Sequence, residues 1–117
     1  WKVLVAEDEQ DLRELVGFAL TWGGYRVIGA AVEKAREELP DLILLDTHMP
    51  RMTGYEACQA LKRINETRDI PVVFLSTSRG KKEVQQGLET GAIGYILKPF
   101  SPRELLAQIA KILRGEI

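Results

Sequence analysis

Three short apolar runs in this sequence each end on a charged residue. Lys2–Ala6 runs into Glu7 and Asp8, Leu42–Leu45 ends on Asp46, and Tyr95–Leu97 ends on Lys98. If these runs are neighbouring strands, three carboxylates and an ammonium meet at one sheet edge. Crowded carboxylates repel one another and stay ionised only with a cation among them. An all-oxygen pocket with coordination positions to spare suits Mg²⁺, which keeps waters and takes phosphate oxygens as further ligands. The set therefore points to phosphoryl chemistry rather than to a structural salt bridge. Ser76, at the end of Val72–Leu75, adds a hydroxyl to the same edge.

The elements that would carry these residues alternate. Apolar runs at Lys2–Ala6, Tyr25–Ala30, Leu42–Asp46, Pro71–Ser76 and Ile93–Leu97 are apolar nearly throughout, as expected of parallel strands buried on both faces. Between them lie stretches of helical period. The first places Leu12, Leu15, Val16, Ala19 and Leu20 on one face and stops before Gly23-Gly24. The second, Val32 to Leu39, is about two turns long. The third covers about Gly54 to Asn65, with Ala57, Leu61 and Ile64 inward. The fourth, about Lys81 to Thr90, offers Val84 and Leu88 to the core and ends at Gly91. The fifth begins at Pro102 with Ser101 as its N-cap. Five β-α units in succession predict an α/β, doubly wound parallel sheet, a fold that binds ligands outside the carboxyl ends of its strands. The acidic residues, Ser76 and Lys98 all fall at such ends.

The bulk numbers restrict the alternatives. With 117 residues, 45% apolar and 28% charged, the chain is one ordinary domain with one core. A net charge of −1 and no basic stripe argue against direct nucleic-acid binding. The longest apolar runs are far short of a membrane span, and the N-terminus has no signal-peptide pattern. Its single cysteine, Cys58, rules out an intrachain disulfide, is compatible with a reducing cytosol, and reads as a small apolar filler. The expected location is cytoplasmic.

Glu7-Asp8-Glu9, Asp46-Thr-His-Met-Pro50 followed by Gly54, Ser76, and Lys98-Pro99-Phe100, in that order and each at a strand end, closely resemble the receiver domain of two-component response regulators. The likeness covers essentially the whole chain. It implies a flavodoxin-like five-stranded parallel sheet of order 2-1-3-4-5 with five helices. It also implies one receiver domain over 1–117; the start on strand sequence at Trp1 is compatible with a domain cut from a longer protein. Asp46 would accept a phosphoryl group as an acyl phosphate. Glu7, Asp8, Asp46 and the backbone carbonyl of His48 would hold Mg²⁺, with Mn²⁺ as its substitute. Lys98 would pair with Asp46 at rest and with the phosphoryl group afterwards. Ser76 would donate its hydroxyl to that group, and Tyr95 would turn inward once Ser76 moves. The implied donor is a sensor histidine kinase or a histidine-containing phosphotransfer protein. The implied output is an output domain, a partner or a second copy engaging the face of the fourth helix, fifth strand and fifth helix. Such a domain catalyses only its own phosphorylation and dephosphorylation.

Several residues depart from the family pattern. Glu7 stands where aspartate is commoner, Ser76 where threonine is, and Thr77 where a smaller residue is common; the second helix is several residues short. None of these removes an essential group, so an active receiver is expected. Other functions fit less well. A docking module indifferent to phosphate would not need the acidic set and Lys98. A nucleotide or flavin binder would carry G-x-G-x-x-G or G-x-x-x-x-G-K-[ST], both absent. A phosphatase would carry an acid-x-acid pair, whereas two residues past Asp46 stands His48. As the only histidine, His48 has no company for a zinc site or a triad and is expected at the rim.

Overall fold

Apolar sequence on every position of a strand requires cover on both faces, and the computed structural model provides it. It describes residues 1–7, 10–28, 32–47, 53–76 and 81–115. Strands β1 (Lys2–Ala6), β2 (Arg26–Ile28), β3 (Leu42–Asp46), β4 (Val72–Ser76) and β5 (Gly94–Leu97) alternate with helices α1 (Gln10–Trp22), α2 (Val32–Glu38), α3 (Gly54–Arg63), α4 (Lys81–Glu89) and α5 (Pro102–Leu113). All strand pairs are parallel, in the expected order β2-β1-β3-β4-β5.

Side chains alternate across each strand, so one sheet supplies two cores. Val3, Val5, Leu42, Leu44, Val73, Leu75 and Ile96 pack with α1 and α5 through Val16, Ala19, Leu20, Leu105, Ile109 and Ile112. Leu4, Ala6, Ile43, Leu45, Val72 and Phe74 pack on the opposite face with Ala35 of α2 and Ala57, Cys58 and Leu61 of α3. Cys58 is buried as the filler it was read to be, and burial pushes its thiol pKa up.

The ends of the elements follow local chemistry. Thr53 caps α3 in a capping box: its hydroxyl accepts from the Glu56 N–H at 3.2 Å while the Glu56 carboxylate accepts from the Thr53 N–H. Ser101 caps α5 and Pro102 opens it, as expected. The third helix stops at Arg63 rather than Asn65, because Ile64 is extended.

Two apolar side chains expected in the core lie outside it. Leu15 is 41% exposed and joins Phe18 and Trp22 in a second, outward stripe of α1 at i, i+3, i+7 spacing. Leu88 is 40% exposed, and the buried position of α4 is Gly87, which lies against Tyr95 and Tyr55. The apolar stripe of α5 is largely used by the core. The exposed apolar residues nearby are Leu88, Ile93 and Leu97 of the α4–β5 region.

Candidate functional site

In a sheet of this order the chain leaves β1 toward β2 and returns to β3 on the other side of β1. The crevice above β1 and β3 is therefore the switch point where such folds bind ligands. Glu7 follows β1 and Asp46 ends β3, with Ala6 opposite Leu45 in register. Both acids are buried. Lys98, just past β5, reaches over β4, and its ammonium lies 2.8 Å from Glu7 Oε1 and 3.4 Å from Asp46 Oδ1. The backbone N–H of Lys98 donates to the Ser76 carbonyl at 2.8 Å, which ties the end of β5 to the end of β4. The Lys98–Pro99 peptide is cis.

Three of the charged residues picked from the sequence thus meet: Glu7, Asp46 and Lys98. Asp8 and His48 lie outside the described residues, and so does Thr77. The pairing at rest differs from expectation in one respect. Lys98 sits nearer to Glu7 than to Asp46, because the extra methylene of glutamate carries its carboxylate out to the lysine. Burial alone would lower the Lys98 pKa, but its hydrogen bond to Glu7 and the charges of Asp46 and Glu7 outweigh it, and the net shift is upward. The ammonium is held charged at any physiological pH.

Two buried carboxylates beside one ammonium leave a net negative, all-oxygen donor set. That chemistry fits a hard divalent cation such as Mg²⁺. Among the described residues no group of three acidic, histidine or cysteine side chains forms a metal cluster, the third acid of the sequence pattern being Asp8.

Close packing fixes where Asp46 stands. The Gly54 N–H donates to the Thr47 carbonyl at 3.2 Å, docking the start of α3 against the end of β3. A Cβ on Gly54 would overlap the Asp46 carbonyl oxygen and come within 3.0 Å of Thr47 Cα. Those atoms are backbone and cannot swing aside. Gly54→Ala is expected to lower stability by about 3 kcal/mol, at the upper end for overpacking, read as the midpoint of urea unfolding. An unchanged midpoint would refute this close fit.

Tyr95 is half-buried on the α3–α4 side. Its ring lies 5.3 Å from that of Phe74, which in turn meets Tyr55 edge-on at 5.1 Å. The Tyr95 hydroxyl lies 3.5 Å from that of Tyr55 and fills the space where Gly87 lacks a side chain, so that a Cβ there would collide with it. Gly87→Ala is therefore expected to turn the Tyr95 ring outward. NMR should show its ring protons losing the upfield shifts induced by Phe74 and Tyr55; unmoved resonances would mean that α4 yields instead. Sequence reasoning found Tyr95 but neither Gly87 nor Tyr55, since a glycine inside a helix pattern reads as a weak point rather than a socket. Also missed was Thr47, which is buried, and whose hydroxyl lies 3.3 Å from that of Ser76. Its place directly after the acid at a buried strand end was the available signal.

Residues 3–110 match the family described as the response regulator receiver domain. The chain belongs to that family. Over 119 residues it is 48% identical to the phosphate regulon transcriptional regulatory protein PhoB of Escherichia coli strain K12, covering 97% of this chain and 52% of PhoB. The receiver thus spans about half the length of the curated relatives it matches. Among solved structures it is similar to the chemotaxis protein CheY4 of Vibrio cholerae, with a TM-score of 0.90, 33% identity, and 95% and 97% of the two chains covered. It is also similar to the receiver domain of the sensor histidine kinase PA1611 of Pseudomonas aeruginosa (TM-score 0.86, 27% identity, 97% of each chain), solved with a magnesium ion in its active-site cleft. The receiver is a signalling domain of two-component systems, and phosphorylation switching is typical of its family.

Proposed function

We propose that this receiver takes a phosphoryl group onto Asp46 and uses it to change the face formed by α4, β5 and α5. The observation that carries this reading is the buried meeting of Glu7, Asp46 and Lys98 at the switch point. An Asp46 carboxylate oxygen attacks the donor phosphorus, and the bond from phosphorus to the leaving atom breaks. The electron pair departs with the donor: with the imidazole nitrogen of a phosphohistidine, which takes up a proton, or with the oxygen of acetyl phosphate, which leaves as acetate. The Asp46 oxygen–phosphorus bond that forms is an acyl phosphate.

Lys98, charged throughout, turns from the resting carboxylates to the new phosphoryl oxygens. Ser76 donates its hydroxyl to another of those oxygens. Glu7, Asp8, Asp46 and the backbone carbonyl of His48 would hold Mg²⁺, or Mn²⁺ in its place. When bound, the ion neutralises the carboxylates and the incoming phosphate charge. The donor is a sensor histidine kinase or a histidine-containing phosphotransfer protein. The domain does not turn over external substrates.

The output runs through Tyr95, seated between Tyr55 and Gly87, to an output domain, a partner or a second copy. The exposed Leu88, Ile93 and Leu97 support that face as the contact surface. Residues 1–117 form one receiver domain of a longer, cytoplasmic protein without direct nucleic-acid binding by this domain. Among the described residues no helix is long and apolar enough to cross a membrane. The test is the intact mass of the chain after incubation with Mg²⁺ and acetyl phosphate. One added phosphoryl group, removed by hydroxylamine as acyl phosphates are, is expected; no addition would overturn the reading.

A further inference from the structure

We propose that the outward stripe of α1 is an interface between two copies of this chain, paired antiparallel about a two-fold axis beside Phe18. The core uses the other side of this helix, where Val16, Ala19 and Leu20 pack against α5 and the sheet. Leu15, Phe18 and Trp22 face away from it and are 41%, 72% and 82% exposed. One exposed leucine on a surface is ordinary. Three apolar side chains in one helical stripe, two of them aromatic, make a continuous patch of the kind that marks an interaction site. Its rim is polar, with Asp11, Glu14 and Thr21 exposed alongside. No residue of the stripe belongs to α4, β5 or α5, so this dimer goes beyond the phosphorylation reading and does not depend on it.

The area fits a second copy. At about 150–250 Å² for each aromatic side chain, the exposed fractions, Leu15 included, come to about 400 Å² of apolar surface per copy. A standard interface buries about 800 Å² per partner, somewhat over half of it apolar. The stripe thus supplies most of the apolar share of one such interface. The order of side-chain sizes fits a copy of itself. Volume rises along the stripe from Leu15 through Phe18 to Trp22. Antiparallel pairing sets each Trp22 over the Leu15 of the other copy and the two Phe18 rings beside the axis, so every layer has a similar volume to fill. Parallel pairing would stack tryptophan on tryptophan and leave leucine facing leucine. Charge favours the same arrangement. Asp11 continues the stripe toward the N-terminus of α1, and a parallel pair would bring two aspartates face to face. In the antiparallel pair the axis lies midway between positions 15 and 22, and the two aspartates stand about 22 Å apart at about 1.5 Å per residue. That is well beyond a Debye length of about 8 Å. The same patch meets itself on both copies, so the contact closes as a dimer and builds no filament.

The test is sedimentation equilibrium of the unphosphorylated chain and its variants. The parent is expected to be half dimeric at a concentration on the order of 10–100 µM, the weak end for an interface of this size. Phe18→Glu should weaken association at least about a hundredfold, because the substitution enters the contact twice, at about tenfold or more each time. Phe18→Lys should do the same. Mixing these two variants should recover at least about tenfold of the loss as a dimer of one copy each, because position 18 meets position 18 at the axis and the opposite charges then pair. Leu39→Glu alters a 53% exposed leucine just past α2, which packs on the opposite face of the sheet from α1, and should leave association at the parent's level. Urea midpoints check that each variant is folded. If Phe18→Glu is not, Trp22→Gln replaces it at a still more exposed site, with a loss of at least about tenfold. A parent that stays monomeric at about 1 mM, as it would if the stripe served a different protein, would overturn the proposal. So would stripe variants that associate like the parent, a Glu and Lys mixture that stays monomeric, or a dimer lost on Leu39→Glu.

Discussion

Asp46→Ala, incubated with Mg²⁺ and acetyl phosphate beside the parent chain, is expected to gain no phosphoryl group and to melt no lower than the parent. The first result follows from the chemistry. The carboxylate of Asp46 is the atom group to which phosphorus becomes bonded, so its removal abolishes labelling rather than slowing it. The second follows from the charges. Glu7 and Asp46 share the Lys98 ammonium, with Glu7 the nearer at 2.8 Å against 3.4 Å. Deleting Asp46 leaves the closer, matched pair and removes a repulsion between buried carboxylates, which offsets the lost contact with Lys98. Loss of label with the fold intact separates a missing nucleophile from a broken protein. Label persisting on the variant, by intact mass, would mean that another side chain accepts the phosphoryl group.

Much of this arrangement is legible in the sequence because the same residues carry two signals. Leu42, Ile43, Leu44 and Leu45 read as a strand without alternation, and such a strand needs helices on both faces; the two clusters packed on opposite sides of β3 provide them. Asp46 at its end breaks the apolar run, and a carboxylate there is costly unless something compensates it. The sequence therefore locates the acids and Lys98. It does not say which acid Lys98 favours, because one methylene in Glu7 settles that and only coordinates measure the outcome. Nor does it separate core from surface where a helix has two apolar faces. Leu15 and Val16 are adjacent, yet one is 41% exposed and the other fully buried. In α4 the inward position is Gly87, and a residue with no side chain leaves no hydrophobic mark for periodicity to find. The hydroxyl of Thr47 was hidden for a related reason: its bond to Ser76 joins residues 29 apart and depends on the register of β3 against β4.

Lys98→Met should act on the same group of charges with the opposite sign. Methionine preserves much of the apolar stem and removes the charge, leaving Glu7, whose side chain is fully buried, beside Asp46 with no ammonium from position 98. Breaking a buried pair by removing one partner costs about 3–5 kcal/mol, and the partial exposure of Lys98 places this case near the lower figure. In the parent, the Lys98 pKa is raised above its unfolded value of 10.5. Its contribution is therefore fully present below that value and is lost only as pH rises through the higher folded one. The parent should thus show no loss from this lysine between pH 6 and 9, roughly one unit or more below that range. The variant should respond to Mg²⁺. Its carboxylates lose the lysine's charge, which a bound divalent cation can replace, so at pH 7 its own stability should rise by about 2.7 kcal/mol at a hundred times the dissociation constant. At equal Mg²⁺ the rise should exceed that of the parent, where the Lys98 ammonium competes with the ion for the same carboxylates, so the deficit shrinks. Urea midpoints of parent and variant, with and without Mg²⁺, measure the effect. A variant as stable as the parent at pH 7, or one whose deficit ignores Mg²⁺, would show that Lys98 does not hold these carboxylates together.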